Sequence, residues 1–393
     1  MSTSLNPPLV ATFQRRALIV GAVFLLALLA GAFFNADQFF RAYLVAFTFW
    51  TGISVGSLAL LMLQHMTGGG WGFVIRRVLE AATRTLPLMA LLFVPIVLGA
   101  RRLYPWTHEE EIANYPVIKG KTPFLNVPFF SIRAAIYFGI WLVLAYFLNR
   151  WSLAQDRTGE RTFTKSMRML SGPGMVLFVF TTTFASIDWL MSLEPEWSST
   201  IYGFIFVAAW SMSALAFVIA AMALLSKYEP LNHIVAPLHF HDLGKLLLAL
   251  VMLWAYFAFS QFLIIWSGNL PEEISWYIRR TRGGWGVIAV AVVILHFALP
   301  FLFLLSRGLK RDPHKLVIVA ALILVMRFVD LLWMLTPAFA PGHLQLSWMH
   351  FVGPLAIGGF WLALFAMQLG RRPLIPINDP QYESVLAQAH AGH

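Results

Sequence analysis

The stretch LVIVAALILVMRFVDLLWML, Leu316 to Leu335, decides the fold class. It is apolar over about 20 residues, the length that a helix needs to cross the hydrocarbon core of a bilayer. Similar stretches recur along the chain, and continuous apolar runs of this length exclude a β-barrel. We therefore predict an all-α integral membrane protein with about ten transmembrane helices. The predicted spans are 14–34, 39–65, 72–100, 129–150, 166–191, 198–226, 242–268, 283–306, 313–337 and 347–370.

The composition supports a membrane location for the whole chain. Of its 393 residues, 59% are hydrophobic and 12% are charged, whereas about a quarter of the residues in a soluble domain are charged. We predict one transmembrane domain, 14–370, between a cytoplasmic N-terminal segment, 1–13, and a polar cytoplasmic tail, 371–393, that extends over the membrane surface. Arg15 and Arg16 precede an apolar run as in a signal peptide, but no cleavage site is evident, so the sequence predicts a retained first helix.

The positive charges indicate the orientation. Lys and Arg are more abundant in the N-terminus, the even-numbered loops and the tail than in the odd-numbered loops, and such an excess marks cytoplasmic segments. Both termini are therefore predicted to be cytoplasmic. This pattern explains the net charge of +10 without a nucleic-acid partner. The chain has no cysteine, which excludes disulfides, cysteine-ligated iron–sulfur clusters and covalent c-type haem within it.

Two opposite charges lie inside helix 9. Arg327 and Asp330 are three residues apart and share one face of the helix. Each charge costs at least a few kcal/mol near the bilayer centre, so the two should face the bundle interior and pair with each other. Two interpretations stay open: a structural salt bridge that fixes helix 9 to its neighbours, and a place in a proton or ion pathway.

Depth along the helices predicts further members of such a pathway. Ser260 and Gln261 in helix 7 lie at about the depth of Asp330, and His296 lies near the middle of helix 8. Histidine suits proton relay because its ordinary pKa is near neutrality. We predict one polar cluster of helices 7, 8 and 9, which Asp188 and His350 would continue towards the outer face. Glu194 and Glu196 would line the outer mouth. The polar groups predicted near the cytoplasmic helix ends are His65, Glu80, His241, Asp242 and Lys245.

Two other patterns have simpler interpretations. Arg76, Glu80 and Arg84 fall at four-residue spacing, which predicts a helical face at the membrane surface. The HFHD stretch, 239–242, resembles a metal cluster, but Asp242 suits the N-cap of helix 7 and Lys245 can reach the lipid headgroups, so no metal site is predicted. Only one histidine lies deep in a span, which argues against haem ligation.

Four motifs resemble a known family. They are DWLMSLEPEWSSTIYG (188–203), HDLGKLLLALVMLWAYFAFSQFLIIWSGNLPEEISWYIRR (241–280), HFALPFLFLLSRGLKR (296–311) and VMRFVDLLWM (325–334). The chain, from about residue 15 to 380, resembles the ActF-type membrane subunit of bacterial alternative complex III, a quinol:electron-acceptor oxidoreductase. That subunit is similar to the NrfD and polysulfide-reductase membrane subunits.

The resemblance implies an architecture and a set of partners. It implies two four-helix bundles, helices 2–5 and 6–9, flanked by helices 1 and 10, in a bacterial cytoplasmic (inner) membrane. The implied partners are a homologous quinol-binding membrane subunit, an outer-face iron–sulfur subunit, c-type haem subunits, other small membrane subunits and lipids. Quinol or menaquinol would be used by the complex, and haem c and iron–sulfur clusters would belong to the partner subunits.

The resemblance also implies a role in proton transfer rather than a complete active site. Quinol oxidation in the neighbouring subunit would be coupled to a proton path through this chain. In the resulting hypothesis Asp330 would carry the proton, Arg327 would tune its pKa, His296 and Gln261 would pass the proton on, and Asp188 would lead to the exit. The place of His296 in this path follows from its predicted depth and not from the resemblance. One alternative is a secondary transporter, for which no inverted repeat is evident, or an ion-conducting membrane protein; the other is a structural scaffold.

Overall fold

The computed structural model describes residues 7–340 and 342–391. Within these ranges the chain is helical without a strand, and ten helices are long and apolar enough to cross a membrane. All ten coincide with the predicted spans, so the all-α prediction is confirmed for a multi-pass membrane protein. We number them α1 (Val10–Phe34), α2 (Ala36–Thr67), α3 (Gly70–Leu98), α4 (Val127–Thr158), α5 (Thr162–Leu193), α6 (Tyr202–Leu225), α7 (Pro237–Gly268), α8 (Trp285–Leu305), α9 (Pro313–Ala338) and α10 (Met349–Gly370).

Short polar side chains cap the N-termini of several of these helices. Asn35 and Asn126 accept the backbone N–H three residues ahead at 3.0 and 2.9 Å, and Asp312 accepts the first free N–H groups of α9. Such caps satisfy donors that have no partner within the helix. Glycine ends α4, because Gly159 takes the left-handed conformation with a φ of 71°.

Proline interrupts two of the spans. α3 consists of the helices Gly70–Thr83, Leu86–Leu92 and Val94–Leu98, with a proline in the second position of the latter two. α8 contains π-helical turns at Val292–Ala298, directly before Pro300. Since proline has no N–H and its ring clashes with the preceding turn, these sites break the regular hydrogen-bond pattern. Such turns are often found at functional sites.

The helices pack as two bundles. In bundle one, α2 packs against α3 and α5, and α4 packs against α3 and α5. In bundle two, α6 packs against α7 and α9, and α8 lies against both α7 and α9. α2 packs along α6 and joins the bundles, while α10 packs against α1 and α2. This is the arrangement that the family resemblance implies.

Glycines allow the closest helix contacts. A Cβ atom on Gly56 of α2 would lie 2.0 Å from the carbonyl oxygen of Trp210 on α6. A Cβ atom on Gly359 of α10 would lie 2.3 Å from the Cα of Gly21 on α1. Small residues let membrane helices approach at backbone distance, so these positions set the junctions between α2 and α6 and between α1 and α10.

The loops gather at two ends of the molecule. We call the end that holds the C-terminal tail the tail end, and the end that holds residues 99–126 the loop end. The tail, predicted to be extended, instead ends in a helix, Tyr382–Ala391, and packs against α3. The helix that contains the apolar span α1 runs from Pro7 to Phe34 and so begins inside the predicted N-terminal segment. Residues 1–6 lie outside the described part. The cytoplasmic assignment of the tail end stays a prediction.

Candidate functional site: buried ionisable groups

The charged pair of α9 faces the interior of bundle two. Arg327 and Asp330 are 1% and 2% exposed, and Nη1 of Arg327 donates to Oδ2 of Asp330. The guanidinium also lies over the ring of Phe206 on α6, 5.0 Å from its centroid. The pairing that the three-residue spacing predicts is therefore present. No other side chain in the described ranges hydrogen-bonds to Asp330, and Nη2 of Arg327 is buried without a partner there.

His296 lies beside this pair, on the π-helical turns of α8. The side chain is fully buried, and the charge of Arg327 acts on it. Its ring meets the ring of Trp254 on α7 edge-on, with the centroids 4.5 Å apart. Both ring nitrogens of His296 and Nε1 of Trp254 lack hydrogen-bond partners among the described residues. Buried polar groups usually have partners, so these unpartnered atoms are unusual, and of the two side chains only the imidazole of His296 can both accept and release a proton.

Gln261 and Ser260 do not join this cluster, contrary to the prediction. The amide oxygen of Gln261 accepts from the hydroxyl of Ser199 at 2.8 Å, and its amide nitrogen donates to the hydroxyl of Tyr277 at 3.4 Å. Ser260 is half-buried and has no described hydrogen bond to the pair. Similar depth along two helices leaves open which way each side chain points around the bundle, and here Gln261 points to the loop end.

A cavity of about 320 Å³ adjoins Gln261 at the loop end. It lies between the end of α5, the connection to α6 and the end of α7. Its polar lining includes Ser199 and Glu273. The cavity therefore lies beside the hydrogen bond between Gln261 and Ser199.

Asp188 belongs to bundle one, so its predicted continuation of the α7–α9 cluster is wrong. The carboxylate is fully buried and accepts from Nε and Nη2 of Arg133 on α4, at 2.8 and 2.9 Å. The hydroxyl of Tyr137 donates to it at 2.6 Å. The guanidinium of Arg133 also stacks 3.8 Å from the centroid of Phe124. Arg133 is not among the predicted site residues, although its position as a basic residue near the start of a predicted span was the available signal.

Glu194, which is predicted to line the outer mouth, is a second carboxylate that pairs with arginines. It is 9% exposed and accepts from Arg280 at 2.5 Å and from Arg279 at 3.0 Å. Arg280 is buried, lies 3.7 Å from the ring centroid of Trp276, and donates to the carbonyl of residue 334 at 2.7 Å. Burial lowers the pKa of Arg280 below its ordinary value, although Glu194 opposes this shift. Glu196 is exposed.

Glu80 lies at the centre of a buried ionic cluster at the tail end. The prediction of a surface-lying face is wrong here, because Arg76 and Glu80 are 1% and 0% exposed. Glu80 accepts from Arg77 at 2.7 Å, from Ser152 at 2.5 Å and from Arg76 at 3.2 Å. Helix α4 packs against this part of α3, and its residue Asp156 accepts a hydrogen bond from Arg77. An amphipathic pattern can thus face an ionic interior rather than water.

The C-terminal tail completes this cluster. Asp379 is 9% exposed and accepts from Nη1 of Arg76 at 2.6 Å. Arg372 donates to Asn149 at 3.1 Å and to Glu80 at 3.4 Å. Burial lowers the pKa of Arg372, and Glu80 partly opposes the shift. The C-terminal tail therefore covers this end of bundle one, and its charged residues bond to the charged residues of the cluster.

The remaining predicted residues lie near helix ends. Nε2 of His65 is buried without a partner among the described residues, and the charges of Arg76 and Glu80 act on this ring. Asp242 is not an N-cap, because α7 begins at Pro237, and it pairs with Lys245 at 3.1 Å.

His350 also has a local role. Its Nδ1 accepts from the backbone N–H of Ser347 at 3.1 Å, which closes the first turn of α10. His350 therefore stabilises a helix start rather than extending the cluster of bundle two.

Comparisons with known proteins leave the family open. No family model matches the chain, and no curated protein matches its sequence significantly. The family resemblance therefore rests on the four quoted motifs.

Proposed function

We propose that this chain is the ActF-type, proton-conducting membrane subunit of a quinol-oxidising electron-transfer complex in a bacterial cytoplasmic membrane. The observation that supports this best is the group in bundle two: Arg327 and Asp330 paired, with His296 beside them. Each member is buried, and the group keeps polar atoms without described partners. Ionisable groups within a membrane span are costly, and they commonly mark proton or ion pathways.

The geometry of the pair suits proton carriage. Asp330 is held by one described side-chain partner, so uptake of a proton by its carboxylate breaks one ion pair. The guanidinium of Arg327, released from Asp330, still lies over the ring of Phe206 and close to His296. Loss of the proton restores the pair. Asp330 is therefore the proposed carrier, Arg327 the group that responds to its charge, and His296 the next acceptor.

The proposed route continues to the loop end. Gln261 with Ser199 and Tyr277 forms a polar group beside the cavity there. Towards the tail end, bundle two contains buried aliphatic side chains such as Leu247 and Leu304. Water must enter this half for protons to pass. His65, Glu80, Asp242 and Lys245 stay candidate uptake groups at the tail end.

The electron-transfer chemistry is proposed for partner subunits. Quinol oxidation in a homologous quinol-binding membrane subunit would release two protons to the outer face. The two electrons would pass to an iron–sulfur subunit and c-type haem subunits. This chain lacks cysteine, which fits a subunit that moves protons and leaves electron transfer to its neighbours.

The test is Asp330→Asn in the purified complex reconstituted into liposomes. We expect electron transfer from quinol to continue with fewer protons translocated per electron, because the amide cannot carry a proton. Asp37→Asn is the matched control, since Asp37 is half-exposed and pairs only with Arg102 in the described ranges. Unchanged proton yield and electron-transfer rate in Asp330→Asn would disprove the proposed path.

A structural scaffold is the second candidate, and one observation favours it. Asp188 and Glu80 are each held by three or more donors, the arrangement expected of fixed cross-links between helices. If Asp330→Asn prevents the complex from assembling, and if c-type haem absorbance no longer copurifies with the chain, the scaffold becomes the better description of the Arg327 pair as well.

A further inference from the structure

A lysine at the tail end, whose side-chain stem is packed against α7, has no counter-ion among the described residues. Lys310 lies on the short helix Arg307–Arg311 and is 7% exposed. No side chain of the described residues forms a hydrogen bond or an ion pair with its ammonium group. Burial, and then the charge of Lys245, lower the pKa of Lys310 below its usual value. No described carboxylate balances the charge at the end of this side chain, so an anion beside it would be stabilised.

Gly244 places the lysine against α7. A Cβ atom at residue 244 would lie 2.7 Å from Cγ and 3.0 Å from Cδ of Lys310. The absence of a side chain there lets the lysine stem lie flat across the helix. The ammonium group is thereby brought to the first turns of α7, near His241.

His241 supplies a second unsatisfied polar group at the same place. Its side chain is 11% exposed, and Nδ1 is buried without a hydrogen-bond partner in the described part of the chain. The nearest carboxylate, on Asp242, is 3.8 Å away and is paired with Lys245 at 3.1 Å. Arg311 lies close enough for its charge to act on His241. The charges of Asp242 and Lys245 cancel each other. The charges of Lys310 and Arg311 remain, so the surroundings of His241 carry a net positive charge.

We propose that Lys310, His241 and Arg311 form a binding site for a phosphate group, and that its source is the headgroup of an anionic phospholipid. The first turns of α7 favour an anion through the helix dipole. Exposed apolar side chains on the last turn of α8, Leu302 and Leu305, are 59% and 55% exposed and would face the acyl chains. Basic pockets between membrane helices near the headgroups are known to recognise such lipids.

This site adjoins the candidate uptake groups Asp242 and Lys245 but does not use them to bind the anion. It lies at the tail end, outside the Asp330 group, and needs no quinol or electron transfer. The proposed lipid binding does not depend on the orientation of the chain in the membrane, because both ends of a membrane helix lie at the level of the lipid headgroups.

The test measures lipid retention by the full-length protein with its copurifying subunits. Native mass spectrometry counts bound phosphatidylglycerol and cardiolipin, with phosphatidylcholine as the neutral comparison. Lys310→Met should weaken retention of the anionic lipids about fivefold, the factor expected for one basic side chain near the headgroups. Lys315→Met is the matched control, because Lys315 is exposed and pairs with Asp312 at 3.4 Å, and it should change retention little.

A second variant leaves the charge in place. Gly244→Ala should push the stem of Lys310 aside and weaken retention as well, whereas Lys310→Arg should preserve it. If inorganic phosphate displaces the lipid, the site recognises phosphate from either source; if it does not, the headgroup and acyl chains act together. Equal retention in Lys310→Met and Lys315→Met, or retention of phosphatidylcholine as strong as that of the anionic lipids, would overturn the proposal.

Discussion

Arg133 on α4 and Asp188 on α5 are joined by two hydrogen bonds, of 2.8 and 2.9 Å, inside bundle one. The residues are 55 positions apart, and Tyr137 adds a third donor to the same carboxylate. A carboxylate with three strong donors is fixed in place, because each charge-assisted bond is shorter and stronger than a neutral one. Asp188 therefore acts as a clamp, a fixed link that holds α5 to α4. The sequence alone had indicated a role at a proton exit.

Removal of this carboxylate should destabilise the protein strongly. In Asp188→Asn the guanidinium of Arg133 stays buried without an opposite charge, and loss of one partner of a buried pair typically costs about 3–5 kcal/mol. We expect the midpoint of thermal or detergent-induced unfolding to fall accordingly.

Asp37→Asn provides the comparison for this variant. Its ion pair with Arg102 is about half exposed on both sides, and exposed pairs contribute little to stability because solvent screens them. The unfolding midpoint of Asp37→Asn should therefore hardly change. Similar midpoints in Asp188→Asn and Asp37→Asn would contradict the clamp.

Glu194 should fix the loop-end helix Pro271–Thr281. In Glu194→Gln the neutral amide no longer balances the buried charge of Arg280, and the contact between Arg280 and the ring of Trp276 should loosen. We expect faster hydrogen exchange across this helix. Glu196→Gln is the matched variant two positions away, on an exposed side chain, and it should leave exchange unchanged. Protection that is equal in both variants would show that Glu194 does not hold the helix.

Asp379 should hold the tail on the ionic cluster of bundle one. In Asp379→Asn the tail loses its ion pair with Arg76, which measures 2.6 Å. Residues 371–391 should then exchange hydrogen faster and become easier to cleave with protease. Glu383→Gln removes a charge from the exposed side of the same tail and serves as the control. A tail that stays fully protected in Asp379→Asn would mean that apolar packing alone retains it.

Gly56 should be intolerant of any side chain. Its added Cβ would meet the carbonyl of Trp210 at 2.0 Å, so Gly56→Ala forces α2 and α6 apart, and overpacking of this kind costs about 1–3 kcal/mol. Gly139→Ala is the control, because nothing lies within 4 Å of a Cβ there and alanine favours a helix over glycine. Denaturation of both variants measures the difference, and equal stability would argue against close contact of the two bundles.

The candidate site shows which inferences from sequence succeed. The pairing of Arg327 with Asp330 was predictable because both residues lie on one helix, where a spacing of three residues sets the geometry. The grouping of Gln261 with Asp330 was wrong, since those residues lie on different helices. Helical rise gives the depth of a residue, but the rotation of each helix about its axis decides which neighbour its side chain meets.

The number of membrane helices and their positions were determined by the sequence itself, because crossing the hydrocarbon layer requires about 20 apolar residues whatever the neighbours are. The absence of cysteine likewise ruled out several redox sites in advance. Only the tertiary structure decided that Arg133 meets Asp188, that Arg280 meets Glu194 and that the tail reaches Arg76. Such pairs join residues far apart in the chain, and their partners are chosen by how whole helices pack, so no local pattern records them.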